Sequence, residues 1–342
     1  MPRVFKHFLF SLVAILLLLA GAEGVLRLAN IKARVDNPFF MLVRVFEYPD
    51  FFEKDHDLFW RLKRNISDKE EFLVPGSYRT NALGFRGGEL AAETPSTFTV
   101  ACFGNSCTFG WRLTEEQTYP GQLQTRLAPI SRAQFRVVNC GVPGYSSFQG
   151  LRLLRETLPR LKPKVVTICY GWNDHWAAGF DIEDKTQEMA PQWILDAQNV
   201  LSRSYVYRAV KYTLLSRSEK AREYTYNKQS PKYRVGLEDY RANLEAMIRL
   251  CREQGATPIL ITAPVGDADP GQANPMEAYH ERYNDVVRQT AADLGVGLVD
   301  AARLFAEHPE YFDDPKGDFI HYNERGAAAI SAELERLILS LP

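Results

Sequence analysis

The sequence predicts an α/β fold with a parallel β-sheet, preceded by an N-terminal membrane or signal segment. Short apolar runs, which are typical of buried strands, alternate along the chain with helical patterns. Three of these runs end in compact loops that contain polar residues or glycine. Because right-handed connections bring such loops to one edge of a parallel sheet, we expect a ligand site at that edge.

Length and composition indicate a globular chain with a sizeable core. The chain has 342 residues, of which 46% are hydrophobic and 24% are charged. Its formal net charge of −1 gives no strong attraction for nucleic acid, so we expect no nucleic-acid partner. The five cysteines form no C-x-x-C pair and have no metal-ligand spacing with histidine. We therefore expect buried free thiols, no bound metal and no cofactor.

Residues 1–30 form the predicted membrane anchor or signal segment. Residues 8–22 carry no charge and follow basic residues. The small residues Ala20-Gly21-Ala22 have the form of a signal-peptide cleavage site, and cleavage there would give a secreted protein. Apolar character resumes after Glu23, however, and about twenty apolar residues suffice to cross a bilayer. We favour an uncleaved anchor that leaves the main domain on the extracytoplasmic side, with cleavage as the alternative.

Residues 31–95 are predicted to be an irregular lead-in packed on the main domain, residues 96–342. The lead-in is rich in aromatic and charged residues and lacks a clear period. One short strand is expected near residues 73–74. Glycines on both sides of Phe-Arg in residues 81–88 predict a tight, extended turn.

The main domain contains five predicted strands and five predicted helices, interrupted by a helical insertion near residues 177–235. Strands are expected at residues 98–103, 135–139, 165–170, 257–264 (with the exit of the strand) and 296–299. Helices are expected at residues 119–127, 148–158, 237–251, 276–294 and from residue 324 to about residue 341. Thr118 is the predicted N-cap of the first helix, with Pro120 in its first turn, and the second helix is expected to end near Pro159 and Pro163.

Ser106 is the candidate nucleophile. It follows the first strand of the main domain, which stops at Gly104, so a turn can lift its hydroxyl to the carboxyl end of that strand. A helix N-cap is the alternative role for a serine at such a turn. Cys107 is a competing nucleophile, although its thiol is displaced from the position that the turn presents.

Asp318 and His321 form the candidate acid–base pair. A carboxylate three residues before an imidazole can turn back onto Nδ1, which fixes the tautomer and leaves Nε2 to face a nucleophile. The alternative is structural, with Asp318 capping a turn and His321 half-exposed at a helix start. His175 is a rival base, because it directly follows the polar loop after the third strand.

Four short blocks resemble, in their order along the chain, those of the SGNH (GDSL-type) hydrolase superfamily. They are Gly104-Asn105-Ser106, Gly141 within Asn-Cys-Gly-Val-Pro-Gly-Tyr-Ser, Gly171-Trp172-Asn173-Asp174, and Asp318-Phe319-Ile320-His321. The resemblance covers about residues 97–340. The apolar N-terminus and the turn at residues 81–88 also resemble those of membrane-attached bacterial members of the superfamily.

The resemblance implies a flavodoxin-like three-layer sandwich with a five-stranded parallel sheet. It also implies ester hydrolysis through an acyl-enzyme, with Ser106 as nucleophile, His321 as general base and Asp318 as its orienting partner. The oxyanion hole would comprise the backbone N–H groups of Ser106 and Gly141 and the side-chain amide of Asn173. The superfamily usually carries Asp before the serine, where this chain has Asn105, which keeps an acceptor oxygen.

The leading functional hypothesis is an extracytoplasmic, membrane-attached serine esterase acting on acyl or acetyl esters of a small molecule, lipid or glycan. One alternative is an O-acyltransferase, since an acyl-enzyme does not specify its acceptor. A second alternative is a degenerate glycan-binding protein, suggested by Asn105 and by the basic, tyrosine-rich insertion.

Overall fold

The computed structural model describes residues 3–31, 50–67, 78–131, 133–176, 178, 182–216, 232–266, 275–315 and 317–341. The strand expected near residues 73–74 lies outside these residues. The chain divides into two compact units, which are Met1–Trp60 with Met189–Lys228, and Arg61–Glu188 with Gln229–Pro342. The domain limits expected from the sequence stay predictions.

The described elements follow the predicted alternation of strands and helices. The strands are β1 (Phe52–Asp55), β2 (Phe59–Leu62), β3 (Thr97–Gly104), β4 (Gln134–Gly141), β5 (Val165–Cys169), β6 (Thr257–Ile261) and β7 (Gly297–Val299). The α-helices are α1 (Arg3–Leu28), α2 (Ser106–Phe109), α3 (Tyr119–Leu127), α4 (Ser147–Leu161), α5 (Gln192–Leu201), α6 (Tyr205–Ser216), α7 (Leu237–Glu253), α8 (Pro275–Leu294), α9 (Ala301–Phe305) and α10 (Glu324–Leu339). Short 3₁₀ turns lie at Asp184–Thr186 and Pro309–Tyr311.

A five-stranded parallel sheet organises the second unit, as the sequence predicts. Its strands lie in the order β4–β3–β5–β6–β7, while β1 and β2 form a separate two-stranded sheet. This order is the flavodoxin-like one, in which the first strand of the sheet lies between the second and the third. Ligands bind such sheets at the carboxyl ends of the strands beside this reversal, and Ser106 lies there, two residues after the end of β3.

Helices cover both faces of the sheet and bury its apolar residues. Val100 and Cys102 of β3 face a core that α3 and α10 complete with Leu123 and Ile330. Because successive side chains of a strand point to opposite faces, Phe103 faces the other layer, built by α4, α7 and α8. Burial of these apolar surfaces is the main stabilising contribution to the sandwich.

Local signals set the boundaries of α3 and α4 close to those predicted. Thr118 caps α3 by accepting a hydrogen bond from the N–H of Gly121, and Pro120 lies in the first turn. The end of α4 was predicted near Pro159 and Pro163, and the helix ends between them, with Pro159 in its last turn. The helix continues to Leu161, whose side chain is buried, so the loss of one N–H donor near the end of the helix is tolerated.

The turn predicted at residues 81–88 is built around Asn81. Its side chain accepts hydrogen bonds from the N–H groups of Leu83 and Phe85, at 2.9 and 3.1 Å. Gly84 has a φ of 83°, and a Cβ there would lie 3.1 Å from the carbonyl oxygen of Leu62. The turn places Arg86 at the edge of the sheet, where it forms an antiparallel bridge to β4.

Helix α1 belongs to the first unit and is long and apolar enough to cross a membrane. Its 26 residues give a length of about 39 Å, and a bilayer core is about 30 Å thick. The apolar window of the helix has a mean hydropathy of 2.4, and none of that window is buried. Signal sequences near an N-terminus share these properties.

Candidate active site

Ser106 lies at the first position of α2, directly after the sheet. A Cβ on Gly104 would lie 2.0 Å from Thr108 Oγ1, so the close approach of helix and strand requires glycine there. Asn105 is the N-cap, and its Oδ1 accepts a hydrogen bond of 2.9 Å from the N–H of Cys107. Asparagine therefore supplies the acceptor oxygen that the cap needs. Within the described residues, its buried Nδ2 has no acceptor.

His321 connects Ser106 to Asp318. Its Nε2 lies 2.8 Å from Ser106 Oγ, across 215 positions of sequence, and its Nδ1 lies 2.8 Å from Asp318 Oδ1. The same carboxylate oxygen accepts the backbone N–H of His321 at 3.2 Å. Because an ionised carboxylate only accepts, Nδ1 carries the proton and Nε2 is free to accept the proton of the serine hydroxyl.

Two residues of the loop after α2 contact this pair. Trp111 stacks on the His321 ring, with ring centroids 5.6 Å apart and an interplanar angle of 27°. Arg112 Nη1 lies 3.3 Å from Asp318 Oδ2, although its own side chain is 61% exposed. Burial raises the pKa of Asp318, but the hydrogen bond and charge of His321 and the charge of Arg112 outweigh it and hold the pKa below its usual range. Asp318 is therefore ionised at neutral pH.

The three predicted oxyanion donors stand in different states. The N–H of Ser106 belongs to the first turn of α2 and has no intrahelical acceptor. One N–H of the Asn173 amide donates to the carbonyl of Tyr145 at 3.1 Å, which leaves its second N–H for a ligand. The N–H of Gly141, however, donates to Asn139 Oδ1 at 3.0 Å.

A second glycine in the same loop offers a donor that the sequence analysis missed. Gly144 has a φ of 83°, and within the described part of the chain its N–H donates to no protein acceptor. It directly precedes Tyr145, whose carbonyl holds the Asn173 amide. The signal was present as the second glycine of Gly-Val-Pro-Gly. The first glycine, Gly141, packs against the backbone of Phe109, and a Cβ on Gly141 would lie 2.3 Å from the nitrogen of Phe109. The sequence alone does not show this contact.

The rival base His175 is engaged in a separate buried pair. Its Nε2 lies 2.9 Å from His280 Nδ1, and His280 Nε2 lies 2.9 Å from the carbonyl oxygen of Ala263. A carbonyl only accepts, so His280 is protonated on Nε2. Its Nδ1 therefore accepts a hydrogen bond from the Nε2–H of His175. Burial lowers the pKa of His175 to about 4 and that of His280 to about 3. Both rings are neutral, and His280 is a structural residue that the sequence analysis missed.

The rival nucleophile Cys107 is buried as an inert thiol. Its Sγ lies 3.5 Å from the carbonyl oxygen of Ile320, and its own carbonyl accepts the hydroxyl of Tyr322 at 3.0 Å. Burial raises the pKa of the Cys107 thiol well above its usual range, so no thiolate forms near neutral pH. These contacts also fasten α2 to the segment that carries His321.

Asp174 holds the loop that carries Asn173. Its carboxylate accepts the N–H of Ser147 at 2.8 Å and the N–H of Gly171 at 3.0 Å. Burial raises its pKa to about 6, against the opposing effect of the hydrogen bonds from Ser147 and of the charge of Arg234. Among the described residues, no group of three or more His, Cys, Asp and Glu side chains could hold a metal ion.

Comparison with solved structures finds distant likenesses. A lipase/acylhydrolase from Enterococcus faecalis is 20% identical, with a TM-score of 0.46 over 70% of this chain and 95% of the other. A catalytic mutant of Axe2, an acetylxylan esterase from Geobacillus stearothermophilus, is 19% identical, with a TM-score of 0.48 over 73% of this chain and 98% of the other. No curated protein matches the chain in sequence.

A family model carries the assignment. The model of the GDSL-like lipase/acylhydrolase family matches residues 102–329, which is more than half of the chain and includes Ser106, Asn173 and His321. Chains of this family are esterase-type hydrolases. The chain therefore belongs to the GDSL-like lipase/acylhydrolase family.

Proposed function

We propose that the chain is a serine esterase that hydrolyses acyl or acetyl esters of a small molecule, lipid or glycan through an acyl-enzyme. The observation that supports it most directly is the continuous hydrogen-bonded series Ser106–His321–Asp318, with both side-chain distances at 2.8 Å. Such distances lie within the reach that proton transfer requires. The membership of the family agrees with an ester substrate.

In the proposed mechanism, Ser106 Oγ attacks the ester carbonyl carbon while His321 Nε2 takes the hydroxyl proton. The tetrahedral intermediate collapses, the bond to the alcohol oxygen breaks, and His321 returns the proton to the leaving alcohol. A water molecule then attacks the acyl-enzyme while His321 takes its proton. The bond between the acyl carbon and Ser106 Oγ breaks, His321 returns the proton to Oγ, and the carboxylic acid leaves. Asp318 keeps Nδ1 protonated and stabilises the imidazolium that forms in each step.

The negative oxygen of each intermediate needs aimed donors, each worth about 2.7–4 kcal/mol in comparable sites. We propose the N–H of Ser106 and the free N–H of Asn173 as two of them. The predicted third donor, Gly141, would first have to release Asn139 Oδ1. We therefore propose Gly144 as an alternative third donor, since its N–H has no acceptor within the described residues.

The test is turnover of p-nitrophenyl acetate by the full chain in detergent. We expect Ser106→Ala to lower kcat/KM by at least about 10³-fold, while the exposed control Ser96→Ala retains full activity. Equal rates for the wild type and Ser106→Ala would refute the esterase. Labelling of Ser106 by a fluorophosphonate distinguishes an enzyme from a degenerate binding protein, and added acceptor glycans reveal whether acyl transfer exceeds hydrolysis.

We also propose that α1 is retained as an anchor, with the second unit on the extracytoplasmic side. Within the first unit, Glu23 accepts the N–H of Val206 at 3.0 Å and the hydroxyl of Ser204 at 2.8 Å, so it caps the start of α6. Arg27 donates to the carbonyl of Arg203 at 2.8 Å. These contacts join the last turns of α1 to α6. Intact mass of the membrane fraction should include residues 1–22, and a protein that begins at Glu23 would contradict the anchor.

A further inference from the structure

The lead-in turn places a buried cation beside the nucleophile helix. Arg86 is 3% exposed, and its guanidinium donates to the carbonyl oxygens of Phe109, Gly110 and Leu113. The bonds to Gly110 and Leu113 measure 2.8 and 2.5 Å. The guanidinium carbon also lies 4.5 Å from the ring centroid of Tyr78.

All three acceptors lie at or after the end of α2. The last carbonyl groups of a helix have no intrahelical donors, and one planar guanidinium supplies donors to Phe109 and to two carbonyl groups of the turn that follows. The carbonyl oxygen of Gly110 also accepts the N–H of Leu113 at 3.1 Å, and that of Phe109 accepts the Asn139 amide at 3.3 Å. Burial lowers the pKa of Arg86 to about 10, so it remains charged at neutral pH. The cation also opposes the partial negative charge of those carbonyl groups.

The turn that Arg86 fastens carries the two side chains that contact the His321–Asp318 pair. Residues 110–113 hold Trp111 on the His321 ring and Arg112 beside Asp318. Arg112 has a φ of 65°, a conformation that costs energy for a residue with a side chain and persists only where the surroundings enforce it. The carbonyl groups on either side of Trp111 and Arg112 are those that Arg86 holds.

We propose that Arg86 is a positioning residue of the active site, acting through residues 110–113 on the orientation of His321 and Asp318. This inference rests on the proposed esterase function. Arg86 lies upstream of the region that matches the family model, which begins at residue 102. The lead-in turn is therefore part of the catalytic architecture of this chain.

The test compares Arg86→Lys with Arg79→Lys, a control in the same lead-in whose side chain is 53% exposed and pairs with Glu115. Lysine keeps the charge but cannot satisfy three carbonyl groups in one plane. We expect Arg86→Lys to lower kcat by about 10–100-fold with KM changed less than about threefold, since small misplacements of catalytic groups act on kcat. Arg79→Lys should stay within about twofold of the wild type.

A double-mutant cycle with Arg112→Gln tests the route of the effect. If both residues act through residues 110–113, the combined loss in kcat/KM will be smaller than the product of the single losses by at least about threefold. A loss equal to the product would overturn the proposed route, and an Arg86→Lys enzyme with unchanged kcat would overturn the whole inference.

Two further variants, Tyr78→Leu and Ser106→Ala, complete the test. If Arg86→Lys does not fold, Tyr78→Leu removes the aromatic face over Arg86 and should still lower kcat by about 3–10-fold, and no change would again overturn the inference. Equal turnover by the wild type and Ser106→Ala would overturn the esterase and this inference together. A large Ser106→Ala effect with normal activity of Arg86→Lys overturns this inference alone.

Discussion

Two histidine sites in the second unit show how environment decides the role of an imidazole. His321 keeps 14% of its side chain exposed and has a carboxylate at 2.8 Å, whereas His280 is fully buried beside another histidine and a carbonyl group. The carboxylate lets His321 accept a proton and share the resulting charge with Asp318. His280 and His175 have no such counter-charge among their hydrogen-bond partners, and burial keeps both neutral. The proposed base and the buried pair thus differ in exposure and in the charge of their hydrogen-bond partners.

The largest expected effect separates the two sites by activity. His321→Gln should lower kcat/KM for p-nitrophenyl acetate by about 10³-fold or more, because the serine hydroxyl loses its general base. Its melting temperature should change little, since the ring is partly exposed. His175→Gln should retain most of the activity. A larger loss of kcat/KM in His175→Gln than in His321→Gln would reverse the assignment of the base.

The carboxylate is the second difference between the sites. Asp318→Asn preserves shape but can donate to Nδ1, which favours the wrong tautomer of His321, and we expect kcat to fall by about 10³–10⁴-fold. Steady-state kinetics with folded protein checks the change. A loss below about tenfold would mean that His321 does not depend on Asp318 for its orientation.

The buried pair should affect stability more than catalysis. His280→Leu leaves the Nε2 donor of His175 without its partner, whereas the carbonyl of Ala263 keeps a hydrogen bond of 3.0 Å from the Asn284 amide, so the free energy of unfolding should fall by about 1–3 kcal/mol. Urea denaturation measures it, with the exposed His308→Gln as a control that should change stability by less than about 0.5 kcal/mol. A neutral His280→Leu would show that the pair contributes nothing to the fold.

The last expected effect is a pH dependence of stability. The pKa values of His175 and His280 lie at about 4 and about 3 in the folded chain and near 6.5 when unfolded. Between the folded and the unfolded pKa values, the unfolded state binds more protons than the folded state. The free energy of unfolding therefore rises with pH in this range, and it decreases as pH falls below about 6.5. The slope is at most about 1.4 kcal/mol per pH unit for each ring. Denaturation at pH 7 and pH 5 should show this loss, and His280→Leu should reduce it.

Local signals in the sequence predicted much of the fold and indicated several candidate site residues. Helix α3 has the predicted limits, because the Thr118 cap and the apolar spacing are encoded within ten residues. Helix α4 ends close to the two prolines as predicted, and it continues past Pro159 to the buried Leu161 because one lost donor near a helix end is tolerated. The three-residue spacing of Asp318 and His321 indicated a pair that the chain closes locally, at 2.8 Å.

By itself, then, the sequence determined the strand-to-turn blocks, the candidate nucleophile and the Asp318–His321 pair, because each depends on residues a few positions apart. The tertiary structure alone decided that His321 meets Ser106 across 215 positions, that Gly141 has its N–H engaged, and that Arg86 fastens the loop after α2. These contacts depend on how the sheet, the helices and the lead-in turn pack together. No short stretch of sequence encodes them, since the packing free energy is shared among many distant residues.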